Sequence, residues 1–275
     1  MAVTTTPAVI LGATRLGEAN RLITFLTPDR GRLSGMAHNA RRPNRRFGGG
    51  LELFTHCELV LAERRPHHHI DLRQASIVQA FLAIRTDLVR IEAAGRLAML
   101  CRAFLPEAAP HPVAFELLID ALAALNAGRP AWSVLRLFEV GLLRDVGYEP
   151  RLDRCVRCQR AWRRESSEAV FFSPHGGGLL CRRCAALEAD RSHPFPVRPG
   201  AVAFLRQAGG LGLAKGERLR PADAVCRDIE LLLRRYLRVL LDRQPFSQRL
   251  EAPWLEAVDA APTMNIPLSS PSIRA

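Results

Sequence analysis

Two Cys-x-x-Cys pairs constrain the fold of this chain more than any other feature. Cys155 and Cys158 form the first pair, Cys181 and Cys184 form the second, and 22 residues lie between the pairs. Each pair can turn two thiolates toward one point, so that two pairs complete a tetrahedral shell of four sulfurs. The spacing therefore predicts a structural Zn²⁺ site, because four thiolates leave no open position at the metal for water.

Other uses of these cysteines fit the sequence less well. A redox dithiol needs one such pair rather than two. Disulfides conflict with the reducing, cytoplasmic compartment that we expect, because Met1 to Pro7 lacks the pattern of a signal peptide. His175 could replace one cysteine, although four sulfurs make it unnecessary. Residues 171–178 predict a strand and a Gly-rich turn that brings the second pair back to the first.

The formal charge of +12 favours a polyanionic partner, nucleic acid first and an anionic membrane second. No apolar run approaches the roughly 18 residues that a membrane-spanning helix needs. Lys215 is the only lysine, so the surplus is almost entirely arginine, a bias that a G+C-rich genome would also produce. Where the arginines lie is therefore more informative than their total.

The amino-terminal third has the alternation of β-strands. Residues 7–27 are rich in β-branched side chains and end in a turn around Pro28. Residues 51–61 alternate with a period of two, with Leu51, Leu53, Thr55, Cys57, Leu59 and Leu61 on one face. Residues 69–78 predict another strand, with Ile70 and Leu72 inward. About five short strands in some 75 residues predict a small closed barrel, such as an OB-fold.

A strongly basic segment interrupts these strands. Six arginines and no acidic residue lie between positions 30 and 46: Arg30, Arg32, Arg41, Arg42, Arg45 and Arg46. Guanidinium groups bind phosphate through two parallel donors, so this segment predicts nucleic-acid contact. Phe47 follows directly, and it either stacks on a base or packs inside the barrel.

From residue 79 onward the apolar spacing is helical. Residues 81–105 predict two shorter helices, Phe115 to Leu125 and Trp132 to Val146 predict two more, and Asp223 begins a long last helix. Arg227, Arg234 and Arg238 lie on the polar side of that helix, where a solvated face is the simplest reading. We expect an OB-fold barrel over 1–79, a helical domain over 80–250 that contains a zinc module at 151–188, and a disordered tail over 251–275.

No catalytic motif stands out. The chain has no phosphate-binding P-loop, no Gly-x-Ser-x-Gly and no His-Glu-x-x-His sequence, so we expect a non-enzymatic protein. Cys57, Cys101 and Cys226 have apolar neighbours and read as core residues. The tract His67–His69 reads as a loop before a strand, since adjacent strand residues point to opposite faces and cannot all reach one ion.

Several segments together resemble the RecO family of bacterial recombination mediators. The matching segments of the barrel are Leu16 to Leu22, Asp29 to Leu33, Ala40 to Pro43 and Arg46 to Gly49. The matching segments of the helical part are Phe138-Glu139, Leu142-Leu143, Val146 to Pro150 and Leu232 to Leu237. The likeness runs in family order over about residues 8–250, which is much more specific than any single motif.

The resemblance implies an α+β multidomain chain, an OB-fold barrel followed by a helical domain with an inserted four-cysteine zinc module. It implies binding of single- and double-stranded DNA, annealing of complementary strands, action with RecR, and help in loading RecA onto DNA coated by single-stranded DNA-binding protein, whose acidic tail such proteins contact. Carried over by position, the six arginines become the DNA surface and the four cysteines the zinc ligands. It also implies a cytoplasmic, nucleoid-associated protein without membrane partners.

The chain departs from the family pattern at three places. His38-Asn39 stands where a basic residue and glycine are common, and Gln159 stands where glycine is common. The stretch Phe246 to Arg249 lacks a basic residue that the family often has near the position of Ser247. The residues that contact the acidic tail are therefore left unassigned. Two other functions stay open: a protein adaptor with secondary DNA binding, and an RNA-binding barrel with a zinc ribbon.

Overall fold

The computed structural model describes residues 2–40, 46–63, 70–163, 169–188, 193–216 and 221–242 of the chain. These residues form two compact units, one up to Ala131 and the other from Trp132 onward. None of the helices within these ranges combines the length and the apolar character that crossing a membrane requires.

Five strands of the first unit close into a barrel. They are β1 (Ala2–Leu16), β2 (Asn20–Thr27), β3 (Gly31–Ala37), β4 (His56–Glu63) and β5 (Ile70–Gln79). The strand order is β1-β2-β3-β5-β4, and β4 pairs back with β1. The β3–β5 pair is parallel and the other pairs are antiparallel. This confirms the expected small barrel, in which closure leaves no free sheet edge.

The barrel interior is filled by alternate residues of the strands. Ile10, Phe25, Leu59 and Leu61 are all fully buried there. On β5, Ile70 and Leu72 point inward while Arg73 is exposed, as the alternation predicts. A period of two therefore places the apolar side chains of these strands in one core.

The strand that we expected over 51–61 begins later. Residues 47–54 lie outside any strand, and β4 starts at His56. Leu51 is buried, but Leu53 is 42% exposed, whereas Phe54 is buried and has a φ of 66°. The reason is local hydrogen bonding, since amide to carbonyl bonds from Gly50 to Phe47 and from Glu52 to Gly49 close tight turns here. The alternation is right only from His56 onward, where Cys57, Leu59 and Leu61 are buried.

Six helices and one 3₁₀ turn make up most of the remaining described chain. The turn spans Leu82–Thr86, and the helices are α1 (Leu88–Phe104), α2 (Pro112–Asn126), α3 (Ala131–Asp145), α4 (Arg182–Leu187), α5 (Pro199–Gly216) and α6 (Asp223–Asp242). Residues 81–105 thus hold one long helix after a short 3₁₀ turn, not the two shorter helices that we expected. Gly128 and Gly147 adopt positive φ after α2 and α3, which ends both helices where the sequence predicts.

The first unit continues past the barrel, because the segment after α1 is bonded to the start of β3. The Nε of Arg32 donates to the carbonyl of Leu105 at 3.0 Å, and the Ala108 amide donates to the carbonyl of Arg32 at 2.9 Å. Gly31 lies so close to Ala109 that a Cβ on the glycine would be 1.7 Å from the Ala109 carbonyl oxygen. The boundary that we placed after residue 79 stays a prediction.

A second, smaller sheet belongs to the second unit. Its strands are β6 (Arg151–Cys155), β7 (Val170–Ser173), β8 (Gly178–Cys181) and β9 (Phe195–Val197), in the order β6-β8-β7-β9. The hairpin β7–β8 confirms the strand and Gly-rich turn expected between the cysteine pairs. Phe172 meets Tyr236 of α6 edge to face at 5.6 Å, and the Tyr236 hydroxyl donates to the carbonyl of Tyr148. The sheet is therefore anchored to the helices of its own unit.

Candidate metal centre and candidate nucleic-acid surface

The four paired cysteines meet at one point of the small sheet. Cys155 ends β6, Cys158 lies in the turn that follows, Cys181 ends β8, and Cys184 lies in α4. Their sulfurs all lie within 4.8 Å of one another, and the Sγ atoms of Cys158 and Cys181 are 3.8 Å apart. A tetrahedral Zn²⁺ with bonds of about 2.3 Å would place its sulfurs about 3.8 Å apart. The four thiols are therefore positioned to hold one tetrahedral metal ion.

The surroundings of the cluster shift the pKa values of Cys155 and Cys184 in opposite directions. Burial raises the pKa of Cys155, but hydrogen bonds from the backbone of Cys158, Cys181 and Arg157 outweigh burial and bring this pKa down to about 7. Burial also raises the pKa of Cys184, and the neighbouring thiols and the charge on Cys155 raise it further, to about 12. Metal ligands must be thiolates, so metal binding releases the protons that the four thiols carry.

The first cysteine pair sits in a tight turn that ends at Gln159. The Gln159 amide donates to the carbonyl of Cys155, and the Cys155 amide donates to the carbonyl of Arg160. Gln159 has a φ of 61°, in the left-handed region that favours glycine. This conformation is the physical reason why glycine suits the position better than glutamine.

Gln159→Gly is expected to raise the free energy of unfolding by about 0.5–1 kcal/mol. Relief of the left-handed conformation contributes about 1–2 kcal/mol, and the extra freedom of glycine in the unfolded chain offsets part of it. The side-chain hydrogen bond from Gln159 to the Val156 carbonyl is exposed and contributes little. Thermal unfolding of the metal-loaded protein measures the change.

Gln207→Gly is the matched control for that substitution. Gln207 is exposed inside helix α5, where the same exchange should destabilise by about 1 kcal/mol because glycine is a poor helix former. Equal destabilisation by both exchanges would contradict the strain assigned to Gln159.

The other three cysteines are core residues, as the sequence predicts. Cys57 and Cys101 are fully buried, and Cys226 is almost so. Burial raises the pKa of Cys57 to about 12 and raises that of Cys101 and Cys226 as well. These thiols are held in their protonated, unreactive form. His175 is exposed and does not belong to the group of metal-ligating atoms formed by the four sulfurs.

The six arginines assigned to nucleic-acid contact are only partly within the described residues. Arg41, Arg42 and Arg45 lie outside them, as does the tract His67–His69. Arg30 forms an ion pair with Glu63. Arg32 is only 7% exposed, and its Nε donates the hydrogen bond to the Leu105 carbonyl described above. Of the three described arginines, Arg32 is therefore placed inside the fold, not on a surface that DNA could reach.

Arg46 is exposed at the end of the basic segment. Its Nη2 donates to the carbonyl of His38 at 3.1 Å, and its guanidinium lies 5.3 Å from the ring centre of Phe47. Phe47 itself is 4% exposed and belongs to the barrel core. Of the two readings of Phe47, packing inside the barrel is confirmed and stacking on a base is wrong. The ring instead fixes one end of the arginine-rich segment to the barrel.

Sequence reasoning missed a cavity beside the metal centre. It is lined by Arg160, Trp162 and Arg163 together with residues of β7 and β8. The signal that could have found it is the run Arg160-Ala161-Trp162-Arg163, in which an aromatic residue interrupts basic ones directly after the first cysteine pair.

Two family models of known proteins together match nearly the whole chain. Residues 1–81 match the family model "Recombination protein O N terminal", and residues 85–249 match "Recombination protein O C terminal". A DNA repair protein RecO of Anaeromyxobacter sp. (strain K) is 41% identical over 213 residues, which cover 78% of this chain and 82% of that protein.

Two further relatives share the same name. The DNA repair protein RecO of Roseiflexus sp. (strain RS-1) is 39% identical over 242 residues, 88% of this chain and 82% of the relative. One from Dehalococcoides mccartyi is 30% identical over 256 residues, 93% of this chain and 96% of the relative. Since both terminal family models match in order and the relatives are covered almost throughout, the chain belongs to the Recombination protein O family of DNA repair and recombination proteins.

Proposed function

We propose that this chain is a DNA repair and recombination mediator that binds single- and double-stranded DNA and anneals complementary strands. The observation that carries the proposal is the placement of the basic segment. Residues 38–46 come between strands β3 and β4 of the closed barrel in the chain, and Arg46 among them has an exposed side chain. Exposed Arg46 stands at the end of this segment, fixed to the barrel through Phe47.

The chemistry of annealing suits such a segment. Two complementary strands repel each other through their phosphates, and guanidinium groups that neutralise phosphates on both lower this repulsion. Contacts of this kind carry no sequence information, so any pair of complementary strands would be a substrate. Arg41, Arg42, Arg45 and Arg46 are the residues to which we assign this contact, and Arg30, whose charge is partly balanced by Glu63, is a further candidate. Arg32 is left out because it is buried.

We infer that the four-cysteine cluster holds Zn²⁺. A set of four thiolates at tetrahedral spacing suits this ion, and such a closed shell supplies folding energy rather than catalysis. Cys155, Cys158, Cys181 and Cys184 would be its ligands, and the chain would take no catalytic part in the reaction. Elemental analysis of the purified protein tests the identity, with one zinc per chain expected and iron or no metal contradicting it.

The partners that we propose follow from the family. They are RecR, RecA as the protein whose loading is helped, and single-stranded DNA-binding protein through its acidic tail. The positive charge of the chain supports an acidic partner.

Replacing Arg41, Arg42, Arg45 and Arg46 by alanine tests the DNA contact. For single strands the logarithm of the affinity falls with the logarithm of the salt concentration with a slope of about −0.7 for each neutralised phosphate. The variant is therefore expected to lower the magnitude of this slope by about 2.8 if all four arginines bind phosphate. Fluorescence anisotropy of labelled oligonucleotides across a salt series measures it.

The matched control removes four exposed arginines elsewhere: Arg129, Arg144, Arg198 and Arg206. It loses the same charge and should retain the slope of the parent. Equal losses in both variants would show that only net charge matters. A loss limited to one oligonucleotide sequence would contradict backbone recognition, and stronger binding of RNA than of DNA of the same sequence would favour the RNA-binding alternative.

A further inference from the structure

The four cysteines of the metal centre differ in how far solvent reaches them. Cys155 and Cys184 are 2% and 4% exposed, and Cys181 is half-buried. Cys158, in contrast, lies exposed in the turn that follows β6. The centre therefore presents one of its four sulfur ligands directly to small molecules in solution.

A cavity beside the metal centre gives access to a second ligand. It has a volume of about 200 Å³, and Cys181 lines it together with Cys155. A water molecule occupies about 30 Å³ of the liquid, so the cavity has room for hydrogen peroxide, which contains only one oxygen atom more than water. Small polar oxidants can therefore approach Cys181 through the cavity, whereas Cys184 is buried and does not line it.

The two most accessible cysteines are also neighbours. The Sγ atoms of Cys158 and Cys181 are 3.8 Å apart, so each must move by about 0.9 Å to reach the disulfide bond length of about 2.05 Å. Cys158 lies in an exposed turn, where such a movement displaces few packed atoms. The two residues belong to different Cys-x-x-Cys pairs, so a bond between them joins the turn after β6 to the end of β8.

Positive charge adjoins both of these thiols in the chain. Arg182 directly follows Cys181, and Arg157, whose charge is partly balanced by Glu188, directly precedes Cys158; both arginines are exposed. Reactive cysteines lie partly exposed in electropositive surroundings, and redox-sensitive ones have a second cysteine nearby that resolves the oxidised form. The pair meets these conditions, whereas the three cysteines outside the cluster are buried.

We propose that the metal centre is an oxidation site for peroxides, at which Cys158 and Cys181 form a disulfide and the metal is released. The proposal rests on the zinc site proposed above, since a metal ion keeps both ligands as thiolates. A disulfide removes two of the four ligands, and the two thiols that remain, Cys155 and Cys184, cannot complete a tetrahedral shell. Oxidation by peroxide thereby lowers the stability of the small sheet.

The reaction proceeds in two displacement steps. The Cys158 thiolate attacks one oxygen of hydrogen peroxide, the O–O bond breaks, and Cys158 becomes a sulfenic acid as hydroxide leaves. The Cys181 thiolate then attacks the Cys158 sulfur, the S–S bond forms, and the S–O bond breaks to release a second hydroxide. The two thiolates lose two electrons to the peroxide, and two protons from solvent convert both hydroxides into water.

Metal release and disulfide formation are measured together on the full, metal-loaded chain. The protein is treated with hydrogen peroxide, the released zinc is titrated with a colorimetric chelator, and the remaining thiols are alkylated in denaturant before mass spectrometry. One zinc ion is expected for each disulfide between Cys158 and Cys181, and the three core cysteines should remain free thiols. Dithiothreitol with added zinc should restore the original metal content.

Cys158→His provides an independent readout. Imidazole is also a zinc ligand, so the variant is expected to hold the metal without an exposed thiol. Peroxide should release its zinc at least about tenfold more slowly than that of the parent, because the attacking thiolate is missing. Cys226→Ser is the matched control: it removes a buried thiol outside the cluster and should release zinc at the rate of the parent.

Zinc release without a disulfide, or a disulfide between any other two cysteines, would overturn the proposal. So would a Cys158→His variant that holds zinc and loses it to peroxide as fast as the parent. If this variant does not hold zinc, the disulfide map of the parent decides. A purified chain without zinc would refute both the metal site and this proposal, whereas a zinc-loaded chain that peroxide leaves intact would refute this proposal alone.

Discussion

Cys155→Ser is expected to abolish metal binding and to destabilise the second unit by several kcal/mol. Cys155 is 2% exposed and packs with Leu180, Cys184 and Ala185 in a core cluster of only four buried residues. So small a cluster cannot by itself hold the ends of β6 and β8 against α4, and a structural Zn²⁺ contributes an apparent binding free energy of about 10–16 kcal/mol at neutral pH. Losing one of four thiolate ligands removes a large share of that energy.

Zinc content and thermal unfolding of the variant measure both effects together. Cys226→Ser is the matched control, since Cys226 is a buried thiol outside the cluster whose Sγ contacts the carbonyl of Pro221. The control should bind one metal per chain, and its stability should change far less. Chelation of the parent should reproduce the Cys155→Ser profile. A Cys155→Ser protein that kept its metal and its fold would show that the ligand set is different.

Gly31→Ala is expected to destabilise the first unit by at least about 3 kcal/mol, because two costs combine. Gly31 has a φ of 68°, where an L side chain costs about 1–2 kcal/mol. The added methyl would also lie 1.7 Å from the Ala109 carbonyl oxygen, so the segment after α1 would have to separate from β3. Hydrogen bonds between Arg32 and that segment would be lost with it.

Gly95→Ala is the corresponding control. Gly95 lies inside helix α1, and a Cβ there meets nothing within 4 Å. The same exchange should therefore stabilise the protein by about 0.5–1 kcal/mol, since alanine is the better helix former. Urea unfolding of both variants measures the two changes in the free energy of unfolding. The comparison uses the midpoints at an unchanged dependence of that free energy on urea concentration. A Gly31→Ala midpoint equal to that of the parent would contradict the close approach to Ala109.

The sequence predicted those parts of the fold in which local pattern and tertiary packing agree. Alternation identified the strand faces of β4 and β5. Helical spacing identified α2 and α3, which end at glycines, and α6, which begins at Asp223. Helix α5 was missed because Gly200, Gly209 and three further glycines lower its helix propensity. These two glycines also serve packing: a Cβ at Gly200 would lie 3.1 Å from Val225, and one at Gly209 would lie 2.8 Å from Glu149.

In the candidate site, too, the sequence predicted the features that depend on local pattern and missed those that depend on distant residues. Ligand spacing in two short motifs placed the four sulfurs together, because each pair is local and the hairpin between them is short. Burial of Arg32 could not be predicted, since its partner Leu105 is 73 residues away in the sequence. The start predicted for β4 was too early for a related reason. Alternation of side chains does not show which backbone amides close turns, as those of Gly50 and Glu52 do.

The most direct test of the proposed function is the rate at which complementary DNA strands, each coated with single-stranded DNA-binding protein, pair in the presence of this chain. We expect the parent protein to accelerate pairing at low salt, and we expect the acceleration to fall as the salt concentration rises. The variant with alanine at positions 41, 42, 45 and 46 should lose most of the acceleration, while the variant with alanine at 129, 144, 198 and 206 should retain it. No acceleration by the parent at low salt, or equal acceleration by both variants, would contradict the proposed annealing function of the arginine-rich segment.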